Sequence, residues 1–238
     1  MSLEKRTVVI SGASGGLGSA LAIELAARQT NLVLLERNPE KLSPLLKRLA
    51  LADESVLVHP VDLLDPAGAR AAAAAAAARF GRVDVLLHLV GGWTGGKRLV
   101  ETPASELEMM LNQHIWTSFN VIQAFVPLLV QNGWGRIIMI SSPAAGRPAA
   151  KGGPYAAAKA GQEALLMALA QELKGSGVTA NLLQVRNIDV KAEKVSAPTP
   201  ENSGWTTPDE MASAVLYLLS DAAGVVNGTR LMMTGGQL

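Results

Sequence analysis

A phenol, an ammonium and a hydroxyl stand at chemically usable spacings near the middle of the chain. Tyr155 and Lys159 lie four residues apart in the run YAAAKAG at 155–161, and Ser142 precedes the tyrosine by thirteen residues. Alanine-rich sequence favours helix, and residues four apart share one helix face, so the phenol and the ammonium are expected side by side. A nearby positive charge favours phenolate, so Lys159 is expected to lower the Tyr155 pKa and let the phenol give and take a proton near neutral pH. Residues 136–140 (RIIMI) read as a strand that ends at Ser141 and Ser142. In doubly wound parallel sheets the carboxyl edge of the strands is where ligands bind.

The elements that must position these groups alternate along the chain. A β-branched run at 7–10 leads into the glycine-rich SGASGGLG at 11–18, and a helix is expected over 19–28. Gly12, Gly16 and Gly18 permit close approach of a pyrophosphate, whose charge the free amides at a helix start attract. A second strand at 32–35 ends at Glu36 and Arg37, where a carboxylate can bind a ribose 2′-hydroxyl and a guanidinium can pair with a 2′-phosphate. An amphipathic helix is expected at 40–52, a third strand at 55–58 before Val61, Asp62 and Leu63, and a helix at 66–80 that includes eight consecutive alanines, 71–78. A fourth strand at 83–87 runs into His88-Leu89-Val90-Gly91-Gly92.

Apolar residues at helical spacing make 103–130 one long helix with Asn112 in its middle, and a further helix spans 155–174. A sixth strand at 178–185, a Pro- and Ser-rich loop at 191–205, a helix capped by Thr207 and a last strand at 230–233 complete the chain. Seven strands alternating with helices predict an α/β fold: a single-domain, Rossmann-like doubly wound parallel sheet with helices on both faces, over residues 1–238.

Composition narrows the partners. A formal charge of +1 without long blocks of either sign leaves no electrostatic footprint for nucleic acid, so a small molecule is expected. There is no cysteine, and His59, His88 and His114 form no ligand spacing, so no metal is expected. No leader and no bilayer-spanning apolar run is evident, which predicts a cytoplasmic protein without a membrane partner. His88, at a buried strand end, reads as a hydrogen-bonded core residue rather than a base.

The glycine spacing Gly-x-x-x-Gly-x-Gly at 12–18, then Asn112, Ser142 and Tyr155-x-x-x-Lys159 in that order, resembles the short-chain dehydrogenase/reductase family over essentially the whole chain. The resemblance implies hydride transfer between a nicotinamide cofactor and an alcohol or carbonyl substrate. It assigns Tyr155 as general acid/base and gives Lys159 the nicotinamide ribose and the tuning of the phenol. Ser142 receives the substrate oxygen, and Asn112 a proton-relay water. The implied cofactor-binding set is Gly12, Ser14, Gly16, Leu17, Gly18, Glu36, Arg37, Asp62 at the adenine, Leu63, Gly91, Tyr155, Lys159 and Ile188. Glu36, with no basic residue at Gly15, points to NAD(H), with NADP(H) as the alternative. Pairing of helices 103–130 and 155–174 between copies, as in the family, implies a homo-oligomer, a dimer or tetramer.

Several stretches depart from the family pattern. His88-Leu89-Val90-Gly91 replaces Asn-Asn-Ala-Gly, Val185-Arg186 replaces Pro-Gly, and Thr234-Gly235-Gly236 replaces Asp-Gly-Gly. The substrate loop, about 190–206, is short and predicts an open substrate site. Arg186 can meet a cofactor phosphate, an acidic substrate or solvent. These changes leave a second reading, a noncatalytic dinucleotide-binding or regulatory protein that retains the fold. An epimerase or dehydratase of the extended relatives needs a longer C-terminal substrate domain.

Overall fold

The computed structural model describes residues 3–234, so Gly235 and Gly236 of the C-terminal motif lie outside the described residues. In chain order the elements are β1 (Thr7–Ser11), α1 (Gly16–Ala26), β2 (Asn31–Glu36), α2 (Ser43–Leu46), β3 (Val56–Pro60), α3 (Pro66–Phe80), β4 (Val85–His88), α4 (Ala104–Leu111), α5 (Thr117–Gln131), β5 (Gly135–Ser141), α6 (Gly153–Glu172), β6 (Val178–Val185), α7 (Glu193–Ser196), α8 (Pro208–Leu219) and β7 (Arg230–Met233). The strands form one sheet, ordered β3-β2-β1-β4-β5-β6-β7, and every pairing is parallel. The strand order reverses between β1 and β4, which opens a crevice beyond their carboxyl ends.

Buried parallel strands need apolar cover on both faces. On one face α3, α5 and α6 pack through Ala69, Ala72, Ala76, Phe125, Leu129 and Leu166. On the other, α1 and α8 pack through Leu21, Leu25, Met211 and Val215. The alanine run has a structural use: four small residues of α3 are buried, so the helix approaches α5 closely. Asp65 caps α3 by accepting from the Ala67 amide (2.9 Å), and Gly81 ends it at φ +73°. Truncating the fully buried Phe125 to Ala would cost about 3–5 kcal/mol. Thr207 and Glu210 form a reciprocal capping box at α8, as the sequence predicts for Thr207.

Two helix expectations are corrected. Residues 40–52 form no continuous amphipathic helix: a 3-10 turn over Pro39–Leu42 and the four-residue α2 are followed by turns. Residues 103–130 are not one regular helix. A π-helical segment, Asn112–Trp116, separates α4 from α5, and such wide turns insert an extra residue per turn and re-aim side chains. No helix among the described residues is long and apolar enough to cross a membrane.

Candidate active site

The glycine turn between β1 and α1 is shaped by contacts that a side chain would fill. Gly12 has φ +75°, and a Cβ there would lie 3.2 Å from the Leu89 carbonyl carbon and the Val90 amide nitrogen. At Gly18 a Cβ would fall 2.4 Å from the Gly12 oxygen, and at Gly16 it would fall 2.6 Å from Val190 Cγ1. Gly12 and Ser14 therefore border an open cavity of about 330 Å³, together with Glu36, Arg37, Asp62 and Leu63. Leu17 sends its side chain into the core, so only its backbone is left to face a ligand.

Glu36, at the end of β2, is fixed across this cavity. It accepts from the Ser14 hydroxyl and, through Oε1, from the amides of Arg37 (3.0 Å) and Asn38 (3.4 Å). Asp62 Oδ1 accepts from the Leu64 amide (2.9 Å), so the turn-forming aspartate also lines the cavity.

Leu89, Val90 and Gly91 also line a second cavity of about 300 Å³, which holds His114, Ser141, Tyr155, Lys159, Arg186 and Ile188. The two spaces form one groove along the switch point. Tyr155 is half-buried in the first turn of α6, and Lys159 sits, buried, one turn later. Lys159 Nζ donates to the Ile140 carbonyl (2.7 Å) and to Gln162 Oε1 (2.9 Å). Burial pushes its pKa down to about 7, against the opposing pull of the Glu163 carboxylate.

The expected depression of Tyr155 by Lys159 is not found. Burial raises the phenol above its usual value, and the opposing influence is a hydrogen bond with the Ser142 side chain. The ammonium is instead occupied by Ile140 and Gln162, and its own desolvation weakens it as a cation. Ser142 Oγ also accepts from the Ala144 amide (3.3 Å), whereas Ser141 Oγ is tied to Glu163 Oε1 (2.6 Å) in a structural role.

Of the expected catalytic residues, Tyr155 and Lys159 line the groove, while Asn112 and Ser142 do not. Asn112 opens the π turn and lines neither cavity, while His114, two residues on and so on the opposite helix face, reaches the site. His114 meets the Tyr155 ring edge-on, with centroids 5.7 Å apart and planes at 77°. Its Nε2 lies 2.9 Å from the Gly92 carbonyl oxygen and 3.4 Å from the Gly92 amide nitrogen. Nδ1 is buried without a partner among the described residues. Burial and then the Lys159 charge pull His114 down to about 4. A Cβ on Gly91 would come within 2.6 Å of this ring, so glycine is needed there.

A hydrogen-bond chain joins the lysine to the π turn. Gln162 Nε2 donates to Ser118 Oγ (2.8 Å), which donates to the His114 carbonyl (2.5 Å). Gln162 and Ser118 are wholly buried. The periodicity carried a signal for His114 and Ser118: they share the inward stripe with Met110, Val121 and Phe125. His88 is a core residue, with Nδ1 2.7 Å from Ser11 Oγ and Nε2 3.3 Å from Thr117 Oγ1.

The loop after β6 is closed at its base. The Asp189 amide donates to the Thr206 carbonyl (2.9 Å) and the Thr206 amide to the Asn187 carbonyl (3.0 Å). Asp189 also caps α7 through the amides of Glu193 (2.8 Å) and Lys194 (2.9 Å).

Residues 6–200 match the family model described as short chain dehydrogenase. The chain is 30% identical to the D-beta-hydroxybutyrate dehydrogenase of Rhizobium meliloti, covering 97% of this chain and 98% of that protein. It is 27% identical to an uncharacterised NAD-dependent oxidoreductase of Mycobacterium tuberculosis, covering 100% and 97%. A solved short chain dehydrogenase from Bacillus anthracis superposes with a TM-score of 0.89 at 26% identity, covering 99% of this chain and 97% of that one.

Proposed function

The chain belongs to the short-chain dehydrogenase/reductase family, and on that premise we propose that it is an oxidoreductase in which Tyr155 exchanges the proton of a small alcohol or carbonyl substrate. The observation that carries this reading is the continuity of the groove: Gly91, Leu89 and Val90 border both the space beside Glu36 and the space beside Tyr155. The residues present fit a nicotinamide dinucleotide. Gly12, Ser14 and Gly15 line the space where a pyrophosphate would approach, and Glu36 holds a carboxylate where a ribose would lie. Gly12, Ser14, Gly16, Leu17 through its amide, Gly18, Glu36, Arg37, Asp62, Leu63, Gly91 and Ile188 would hold it, with Tyr155 and Lys159 at its nicotinamide end. When bound, that cofactor supplies or accepts the hydride.

Tyr155, with its pKa raised, stays a phenol through neutral pH and so acts as the acid in carbonyl reduction. In alcohol oxidation it must first give up that proton, so oxidation is favoured as pH rises. Ser142, bonded to Tyr155, would hold the substrate oxygen. His114, rather than Asn112, packs against the phenol and fixes its direction, while Gln162 and Ser118 hold Lys159. An amide cannot readily pass a proton along this chain, so its role is positioning.

The fixed Glu36 carboxylate favours NAD(H) over NADP(H), because it would repel a 2′-phosphate; Arg37 beside it keeps NADP(H) as the alternative. Residues 1–238 would act as one dinucleotide-binding and catalytic unit, with the loop about 190–206 over the substrate. The apolar Trp116, Phe119, Leu107 and Val130 exposed along α4 and α5 suit pairing with a second copy.

The test is a turnover screen of secondary alcohols and ketones with both cofactors, alongside cofactor titration by fluorescence. Tyr155→Phe is expected to keep cofactor affinity while turnover falls about 10²–10⁴-fold. Unchanged turnover would remove Tyr155 from its role, and binding without turnover by the wild type would support a noncatalytic protein.

A further inference from the structure

Arg186 follows β6 and separates the cavity that holds Tyr155 and Lys159 from a larger space of about 710 Å³, lining both. That larger space also carries Arg147 and Arg230. Among the described residues its only lining carboxylate is Glu163, which is already engaged: Oε1 accepts from Ser141 (2.6 Å) and Gln184 (2.6 Å), and Oε2 from Arg230 (2.6 Å). Arg230 is thereby neutralised. The side chains of Arg186 and Arg147 are exposed and make no hydrogen bond or ion pair among the described residues. Two guanidinium groups without a side-chain partner among the described residues therefore line a space that borders the reacting end of the groove at Arg186, and no unengaged carboxylate stands among its described lining residues.

A guanidinium fork matches a carboxylate in two parallel hydrogen bonds. Arg186 does not line the cavity of Gly12, Ser14 and Glu36, so its charge lies off the adenosine side. We propose that the substrate is a small hydroxy or oxo acid whose carboxylate is held by Arg186, with Arg147 as the second cation, while its carbinol or carbonyl carbon lies at Tyr155. This deepens the hydride-transfer reading and rests on it. Arg186, the first residue beyond β6, lines both spaces, and Lys159 keeps its bonds to Ile140 and Gln162 beside it.

The experiment pairs 2-, 3- and 4-oxo acids with their methyl esters, which keep the carbonyl and remove the charge. Turnover is measured for wild type and Arg186→Gln, with NADH affinity followed by fluorescence and binding of malonate to the NADH-loaded protein followed by calorimetry. The wild type is expected to prefer at least one acid over its ester. In Arg186→Gln that acid-to-ester ratio of kcat/KM falls at least about tenfold, through KM, as expected for losing one charge-assisted pair. Malonate binding weakens in parallel, and Arg186→Lys restores part of both.

An unchanged ratio overturns the proposal, as does a loss confined to NADH affinity, which would put Arg186 on a cofactor phosphate. Turnover of esters without any preference for acids overturns it while leaving the hydride-transfer reading intact. If no compound is turned over, that reading fails on its own, and malonate then decides: binding lost in Arg186→Gln upholds the anion site, and absent or unchanged binding sinks it.

Discussion

Glu36 and Arg186 stand at or just beyond the carboxyl ends of two strands of the same sheet, yet one is held and the other is free. Glu36 is fixed by Ser14 and two backbone amides, whereas Arg186 has no bonded partner among the described residues. The same contrast runs through the two ends of the groove. The nucleotide end is built from backbone: Gly12 at φ +75°, and Gly18 so near the Gly12 oxygen that no Cβ fits. The chemical end is built from side chains, with Lys159, Gln162, Ser118 and His114 joined in one buried chain. Backbone geometry admits one residue type, so it is conservative by steric necessity. Side-chain geometry can be rebuilt with other groups, provided every buried donor and acceptor is satisfied.

The largest break in this comparison should come from the side-chain end. Gln162→Leu leaves Lys159 Nζ and Ser118 Oγ short of a partner in a dry interior, which costs about 1–3 kcal/mol of stability. We expect kcat to fall about tenfold, the equivalent of ~1.4 kcal/mol of lost positioning. The pH at which Lys159 loses its proton should drop from about 7, because an acceptor of the charged form is gone. A merely structural role would lower stability and leave the pH–rate profile of the folded enzyme where it was.

A smaller effect should appear at the nucleotide end. Glu36→Gln removes the charge that opposes a 2′-phosphate while keeping an acceptor for the backbone amides, so the ratio of NADPH to NADH affinity should rise about fivefold to tenfold, or ~1–1.4 kcal/mol. Titration of both cofactors checks this. A wild type that already binds NADPH more tightly would show that Arg37 outweighs Glu36.

A third effect, on stability rather than on turnover or cofactor choice, concerns His88, between the two ends. Its pKa falls to about 3 from an ordinary 6.5, first through burial and then through the charge of Lys159. The unfolded chain therefore binds the extra proton between these values. Stability is full above pH 6.5 and declines as pH falls toward 3, with a slope from this group of up to ~1.4 kcal/mol per pH unit. His88→Asn, which does not titrate, should flatten that decline in urea melts between pH 7 and 5. An unchanged slope would mean that His88 is not held neutral by its surroundings.

How much was legible in the sequence follows the same division. The parallel sheet and its seven strands were readable because buried β-branched runs and glycine turns leave strong local patterns. The strand-end positions of Glu36 and Ser142 and the helical spacing of Tyr155 and Lys159 were readable too, while their roles belong to the proposal. Asn112 opens a π turn and is absent from the groove lining, whereas His114, which the inward apolar stripe could have pointed to, lines it. The tuning of Tyr155 was misread. Spacing puts Lys159 on the right face but says nothing of Gln162 and Ile140, which claim its protons, nor of the burial that raises the phenol. The helix expected at 40–52 failed where a Pro39–Leu42 turn and a single helical turn satisfied the backbone instead.

The central claim is that hydride moves to and from a substrate carbon in this groove while Tyr155 handles the proton. It is tested most directly by incubating the protein with NADH carrying deuterium at the transferable position and an oxo acid or ketone found in the screen, and locating the label by mass spectrometry. The account predicts one deuterium on the new carbinol carbon with wild type, and in Tyr155→Phe the same cofactor affinity with label transfer cut about 10²–10⁴-fold. Product without deuterium at that carbon, or equal transfer by the two proteins, would contradict it.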